Sequence, residues 1–110
     1  MPSLSFAWFI VAASVLAEVL GTLALRYAEA FTKPLPSLLV IVCYGTAIWL
    51  MSVAVKQLEI GLTYAVWAGC GTALTALLGI LWFQEDASPL RFLGLLFIVA
   101  GVISLNLSTK

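Results

Sequence analysis

Long apolar runs, separated only by short polar connectors, fill this 110-residue chain, and they dictate the solvent in which it can fold. A helix that crosses a bilayer needs roughly 20 mostly apolar residues, and four such stretches fit once the connectors are set aside. Their expected limits are about 4–27, 36–55, 61–83 and 89–107, which makes residues 1–110 one four-helix transmembrane domain. With 64% hydrophobic and 9% charged residues, the chain has too few polar side chains to cover a soluble globule of its size. The expected fold class is therefore all-α and integral to the membrane. The lipid bilayer covers most of its surface, and no nucleic acid is expected as a partner. The first apolar stretch carries Glu18 and has no basic run ahead of it, so it is expected to be retained rather than removed as a secretory signal.

The connectors fit this plan. Glu29-Ala30-Phe31-Thr32-Lys33-Pro34-Leu35-Pro36 ends the first helix, and its prolines suit the start of the second. Lys56 to Gly61 is short enough for a tight hairpin. Gln84 to Pro89 ends in a Ser-Pro helix start, and Ser108 to Lys110 are expected to fray. Arg26, Lys33 and Arg91 fall on one side of the membrane, against Lys56, Lys110 and the terminal amine on the other. Basic residues in short loops normally set orientation. This near tie makes insertion either way accessible, and with it an antiparallel, dual-topology homodimer.

The chain has no histidine, so the usual proton shuttle, metal ligand and nucleophile-activating base are missing. Cys43 and Cys70 lie in apolar stretches without a CxxC spacing and read as small hydrophobes. No enzyme activity, cofactor or metal is expected. Glu18 is the exception to the apolar pattern: an ionised group at the bilayer centre costs at least about 2.5 kcal/mol. Ser14, Glu18 and Thr22 recur at intervals of four, so they share one face of the first helix with Val11 and nearby Gly21. Removal from water works against the charged form of a carboxyl group, so proton and cation should compete for Glu18. The plainer alternative makes Glu18 a protonated donor that bonds two helices together. Ser14 and Thr22 can also satisfy themselves on the carbonyl one turn back.

Tyr64, Trp67 and Gly71 place an aromatic pair and a side-chain-free gap on one face of the third helix. Aromatic faces attract cations, by up to about 2 kcal/mol when desolvated. Tyr44 adds a ring from the second helix, with Ile48 and Met51 below it as a deformable apolar wall. The alternative for these rings is packing alone, or interfacial anchoring of the kind expected for Trp8, Trp49 and Trp82. Gly69, Gly71 and Gly79 suit either a hinge or close helix contact. In the fourth helix Gly94 and Gly101 lie one heptad apart, with Ile98 and Leu105 on the same seam, a pairing stripe whose expected role is dimerisation. Glu29, Glu59, Glu85 and Asp86 lie in connectors, where solvated carboxylates are the default.

These residues resemble the small multidrug resistance transporters, bacterial inner-membrane proteins of four helices, over essentially the whole chain. The resemblance rests on Ala17-Glu18-Val19 with Gly21-Thr22, on Ala28-Glu29-Ala30-Phe31-Thr32-Lys33 with Pro36, and above all on Gly61-Leu62-Thr63-Tyr64-Ala65-Val66-Trp67-Ala68-Gly69-Cys70-Gly71. It implies a multi-pass inner-membrane protein that works as an antiparallel dimer. Helices one to three would line a shared chamber and helix four would dimerise. Glu18 would then bind proton or substrate, Trp67 and Tyr64 would be the chamber aromatics, and Tyr44 would line the pocket. The guanidinium-exporting subtype usually has a tryptophan three residues after the glutamate. Gly21 stands there in this chain, which favours the drug-exporting subtype, as do Thr22 and Tyr44. Ala47 stands where related proteins often have a serine near the glutamate, and Ala30 where a loop glycine is common.

The expected function is proton-coupled export of lipophilic or aromatic cations such as quaternary ammonium compounds, by alternating access around Glu18. Carboxylate and ring faces, having few directional bonds, should tolerate varied shapes. The rivals are a guanidinium or polyamine exporter of the same family, and a non-transporting membrane assembly subunit in which Glu18 only joins helices.

Overall fold

The computed structural model describes residues 4–108, and of Leu4 the backbone only. Four helices follow one another: α1 Leu4–Ala28, α2 Pro34–Ala54, α3 Ile60–Trp82 and α4 Pro89–Leu107. Each is long and apolar enough to cross a membrane. The short connectors make neighbours antiparallel. α1 packs against both α2 and α3, and α4 packs against α3. The backbone forms a slab 43 × 35 × 17 Å, so the thin dimension spans little more than two helices of about 10 Å.

The helix limits follow local chemistry. α2 starts at Pro34 rather than Pro36, because the first helical turn needs no N–H donors and accepts a proline at its start. α1 stops at Ala28, where Glu29, Ala30 and Phe31 take left-handed φ values of 46°, 59° and 64°. The N–H groups of Thr32 and Lys33 then return to the Ala28 carbonyl at 3.0 and 3.1 Å. α3 ends with Gln84 in the left-handed region at φ 56°, and the Glu85 N–H bonds back to the Gly79 carbonyl at 3.1 Å. At the start of α4 the Ser88 hydroxyl accepts from the Arg91 N–H and Pro89 opens the helix. Ser108 caps the other end, its N–H 3.0 Å from the Ser104 carbonyl, so it is tied rather than frayed. Thr109, Lys110 and the terminal amine lie outside the described residues.

The tightest packing is between α1 and α2. On α1, Ala7, Ser14, Gly21 and Ala28 recur every seven residues and are all buried. On α2, Val40, Ala47 and Ala54 do the same. In lipid, apolar area alone does not drive helices together, and small residues let backbones approach closely. The Ser14 hydroxyl joins the two seams, donating to the Ala47 carbonyl at 2.7 Å. Val11, Val15 and Val19 extend the packing to Val66 on α3, with Trp8 lying against the same cluster. Leu, Ile, Phe and Trp side chains such as Phe9, Leu35, Ile41, Trp49, Leu81 and Phe97 point outward, as lipid requires.

Candidate functional site

Glu18 sits in the middle of α1, on the side facing α3. Its carboxylate rests directly on the α3 backbone at Gly71, where a Cβ would lie 2.5 Å from Oε1. Only a glycine leaves that space. One turn along α1, the Thr22 hydroxyl donates to Glu18 Oε2 at 3.0 Å, not to the carbonyl one turn back. Thr22 Oγ1 is also 2.7 Å from the Tyr44 hydroxyl. With Glu18 ionised, the single Thr22 proton goes to the carboxylate, so Tyr44 must donate to Thr22. The result is a relay, Tyr44 to Thr22 to Glu18, that carries donor character from α2 to the carboxylate. It supplies from Thr22 the hydrogen bond that Ala47 cannot make.

Gly21 makes the relay reachable. A Cβ there would come within 2.9 Å of the Tyr44 ring and 3.1 Å of Cys43 Cβ, so a larger residue would expel Tyr44. Glu18, Thr22, Tyr44, Ala47, Ile48 and Trp67 line a cavity of about 330 Å³. Ile48 and Trp67 form a shared wall with an apolar cavity of about 280 Å³, which Met51 and Tyr64 complete. The Tyr64 and Trp67 rings stand 5.7 Å apart at 52°, a tilted pairing typical of aromatic neighbours. The Trp67 indole N–H is buried without a partner, a donor that a buried site normally satisfies. On its other side Glu18 opens into a trough of about 660 Å³ between α1 and α3, lined among others by Thr22, Arg26, Thr72, Thr75, Phe83 and Glu85.

The structure thus gathers Glu18, Thr22, Tyr44, Ile48 and Trp67, with Met51 and Tyr64 in the adjoining cavity. Ser14 does not join them. It was expected on the polar face, but its fully buried hydroxyl is committed to the Ala47 carbonyl, because Ser14 also belongs to the Ala7, Ser14, Gly21, Ala28 seam that packs against α2. α3 runs unbroken through Gly69 and Gly71. Gly71 admits Glu18, and Gly69 admits Val102 of α4, whose Cγ2 would lie 2.5 Å from an added Cβ. Both glycines serve close approach here. Ile98 borders the same contact, while Gly94 and Gly101 face open space and Leu105 is exposed. No residue of α4 is buried.

Sequence reasoning missed the outer end of the trough. Glu85, expected as a solvated loop residue, reaches 4.0 Å from Arg26 and 3.8 Å from Arg91. Arg26 lies over the Phe83 ring at 4.9 Å, and the Trp82 indole donates to the Tyr27 hydroxyl at 2.8 Å. Glu85 reaches Gly79 only through the turn at Gln84, so no spacing within α1 or α3 signals it.

Residues 6–98 match the family model described as Small Multidrug Resistance protein. The multidrug resistance protein EbrA of Bacillus licheniformis is 38% identical over 86% of this chain and 90% of its own length. The quaternary ammonium compound-resistance protein QacF of Klebsiella aerogenes is 38% identical over 94% of each. The guanidinium exporter of Citrobacter freundii is 41% identical over 93% of this chain and 97% of its own length.

Proposed function

The chain belongs to the small multidrug resistance family, a multi-pass protein of the bacterial inner membrane, and from that premise we propose that it exports lipophilic or aromatic monocations in exchange for protons. The observation that carries the reading is Glu18 itself: a carboxylate in the middle of a membrane helix, bonded to Thr22 and opening onto a wall of Trp67, Tyr44 and Ile48. An intramembrane carboxylate is costly, and that cost falls when either a proton or a cation neutralises it. Both cannot bind at once, so loading substrate releases a proton and loading protons releases substrate. The Tyr44–Thr22 relay stabilises the empty, ionised carboxylate between these states. The aromatic and apolar wall holds cations by ring faces and contact area, which favours quaternary ammonium compounds of the kind named for QacF.

The working unit we propose is an antiparallel homodimer. The slab is little more than two helices thick, and α4 offers an uncovered Gly94/Gly101 seam. Two identical chains of opposite orientation can then exchange inward-open and outward-open forms by swapping conformations. Export of guanidinium, the activity named for the Citrobacter freundii relative, is the second reading. It is favoured by the polar trough on the opposite side of Glu18, where Thr72 and Thr75 offer hydroxyls to a small hydrophilic cation.

The test is proton release from the purified, detergent-solubilised protein on adding a quaternary ammonium cation, beside guanidinium and beside Glu18→Gln. Release by the quaternary cation that vanishes in the variant is the expected result. Release by guanidinium alone would select the second reading, and coupled transport surviving in Glu18→Gln would overturn both.

A further inference from the structure

The trough between α1 and α3 has a carboxylate at each end, and both are seated in the same way. Gly71 and Gly79 lie two turns apart on α3, about 12 Å along its axis. A Cβ at Gly71 would crowd Glu18 Oε1, and a Cβ at Gly79 would overlap Glu85 Oε1. Each glycine therefore lets one carboxylate rest against the helix. Thr72 and Thr75 line the wall between them, and the Thr75 hydroxyl is buried without a partner.

The outer end already holds a cation. The Arg26 guanidinium carbon lies 4.9 Å from the Phe83 ring centroid, with Nη1 4.0 Å from Glu85 Oε2, while Arg91 Nη1 stands 3.8 Å from Oε1. An aromatic face beside a carboxylate is what Glu18 also has in Trp67 and Tyr44, and here the pair already has a planar cation on it. The grip on Arg26 is loose: its side chain is 63% exposed and that of Glu85 44%. Exposed pairs of this kind are weak and screened by solvent, so a cation with more apolar area against Phe83 can take the place of Arg26 beside Oε2 while Arg91 stays on Oε1.

We propose that Glu85 and Phe83, with Gly79 beneath them, form an outer station for organic monocations at the mouth of the trough that leads to Glu18, and that Arg26 occupies it until substrate displaces it. The station's purpose rests on the transport reading, but its existence does not. A cation entering from the connector side meets Glu85 before Glu18, and Arg26 returns to Glu85 once the cation has moved inward.

The experiment reads the station with Glu18 silenced. Benzyltrimethylammonium is titrated calorimetrically into the detergent-solubilised full chain carrying Glu18→Gln. The expected result is weak, salt-sensitive binding that Glu85→Gln weakens about threefold to fivefold and Arg26→Gln strengthens by a similar factor. Opposite signs are the signature of an internal competitor, because a simple latch between α1 and α3 would respond in the same direction to loss of either partner. Binding that ignores Glu85, or that shifts the same way in both variants, would overturn the proposal. Should Glu85→Gln fail to fold, Phe83→Leu reads the same station, with weaker binding expected and unchanged binding overturning it. Proton release from the unaltered protein tests the transport reading separately, so the two can fail independently.

Discussion

α1 and α4 carry the same signature, small residues one heptad apart, and meet opposite fates. The α1 seam of Ala7, Ser14, Gly21 and Ala28 is wholly covered by α2 within the chain. The α4 seam of Gly94 and Gly101 touches nothing, and no residue of that helix is buried. A stripe of small residues in a membrane helix therefore marks where another helix can approach, and the remaining chain decides whether that helix is its own. The covered seam also builds the site, because Gly21 brings Tyr44 to Thr22 and thus to Glu18. The open seam has no part in the pocket.

The largest effect should come from filling the covered seam. Gly21→Trp collides with the Tyr44 ring and Cys43, so it breaks the relay and overpacks α1 against α2, at about 1–3 kcal/mol. Transport of quaternary cations in proteoliposomes should fall more than about tenfold, and guanidinium transport should suffer less if Tyr44 moves aside. Undiminished quaternary cation transport would show that Tyr44 is a bystander. Filling the open seam should separate fold from function. Gly101→Leu has free space before it, so each chain should keep its helix content and its cation site. Chemical cross-linking should nevertheless show loss of the proposed dimer, and transport should fail with it. A Gly101→Leu protein that still cross-links as a dimer would place the interface on another face.

Much of this contrast was legible in the residues. Four helices follow from the length of the apolar runs. The proposed cation site rests on residues that the sequence singles out, one carboxylate at interval four from Thr22 and the Tyr64/Trp67 pair. Less legible was which face of α1 meets which neighbour. The interval-four polar stripe of Ser14, Glu18 and Thr22 drew attention from the interval-seven small stripe that shares Ser14, and only packing shows that Ser14 belongs to the second. Glu85 was harder still. Its place over Gly79 depends on a chain reversal at Gln84 with φ 56°, a conformation that no glycine or asparagine announces. The trough's outer end is a product of that turn and of distant Arg26, so no local pattern contains it.

Smaller substitutions probe what holds the covered seam closed. Ser14→Ala removes the bond to the Ala47 carbonyl while changing no side chain that lines the cavity, and bonds between membrane helices average about 0.6 kcal/mol. Stability to denaturing detergent should fall by about that amount, while cation affinity stays as it was. A change in cation affinity instead would return Ser14 to the pocket.

The smallest effect tests the connector that folds α2 back onto α1. Closing the covered seam requires three successive left-handed residues, Glu29, Ala30 and Phe31, whereas the connector into α4 has one such residue, Gln84. Each non-glycine residue held there costs about 1–2 kcal/mol relative to right-handed backbone. A glycine at the middle position removes that strain, but it also gives the unfolded chain more freedom to lose, which returns about 0.4–1 kcal/mol. Ala30→Gly should therefore stabilise the protein by a net of about 0.5 kcal/mol, read as a raised midpoint in detergent unfolding. Gln84→Gly relieves a single strained residue at the edge of the less tightly packed helix pair, and the two gains should be similar if strain is purely local. A larger gain at Ala30 would mean that the left-handed run works as a unit, with the close packing of α1 on α2 holding all three residues in place.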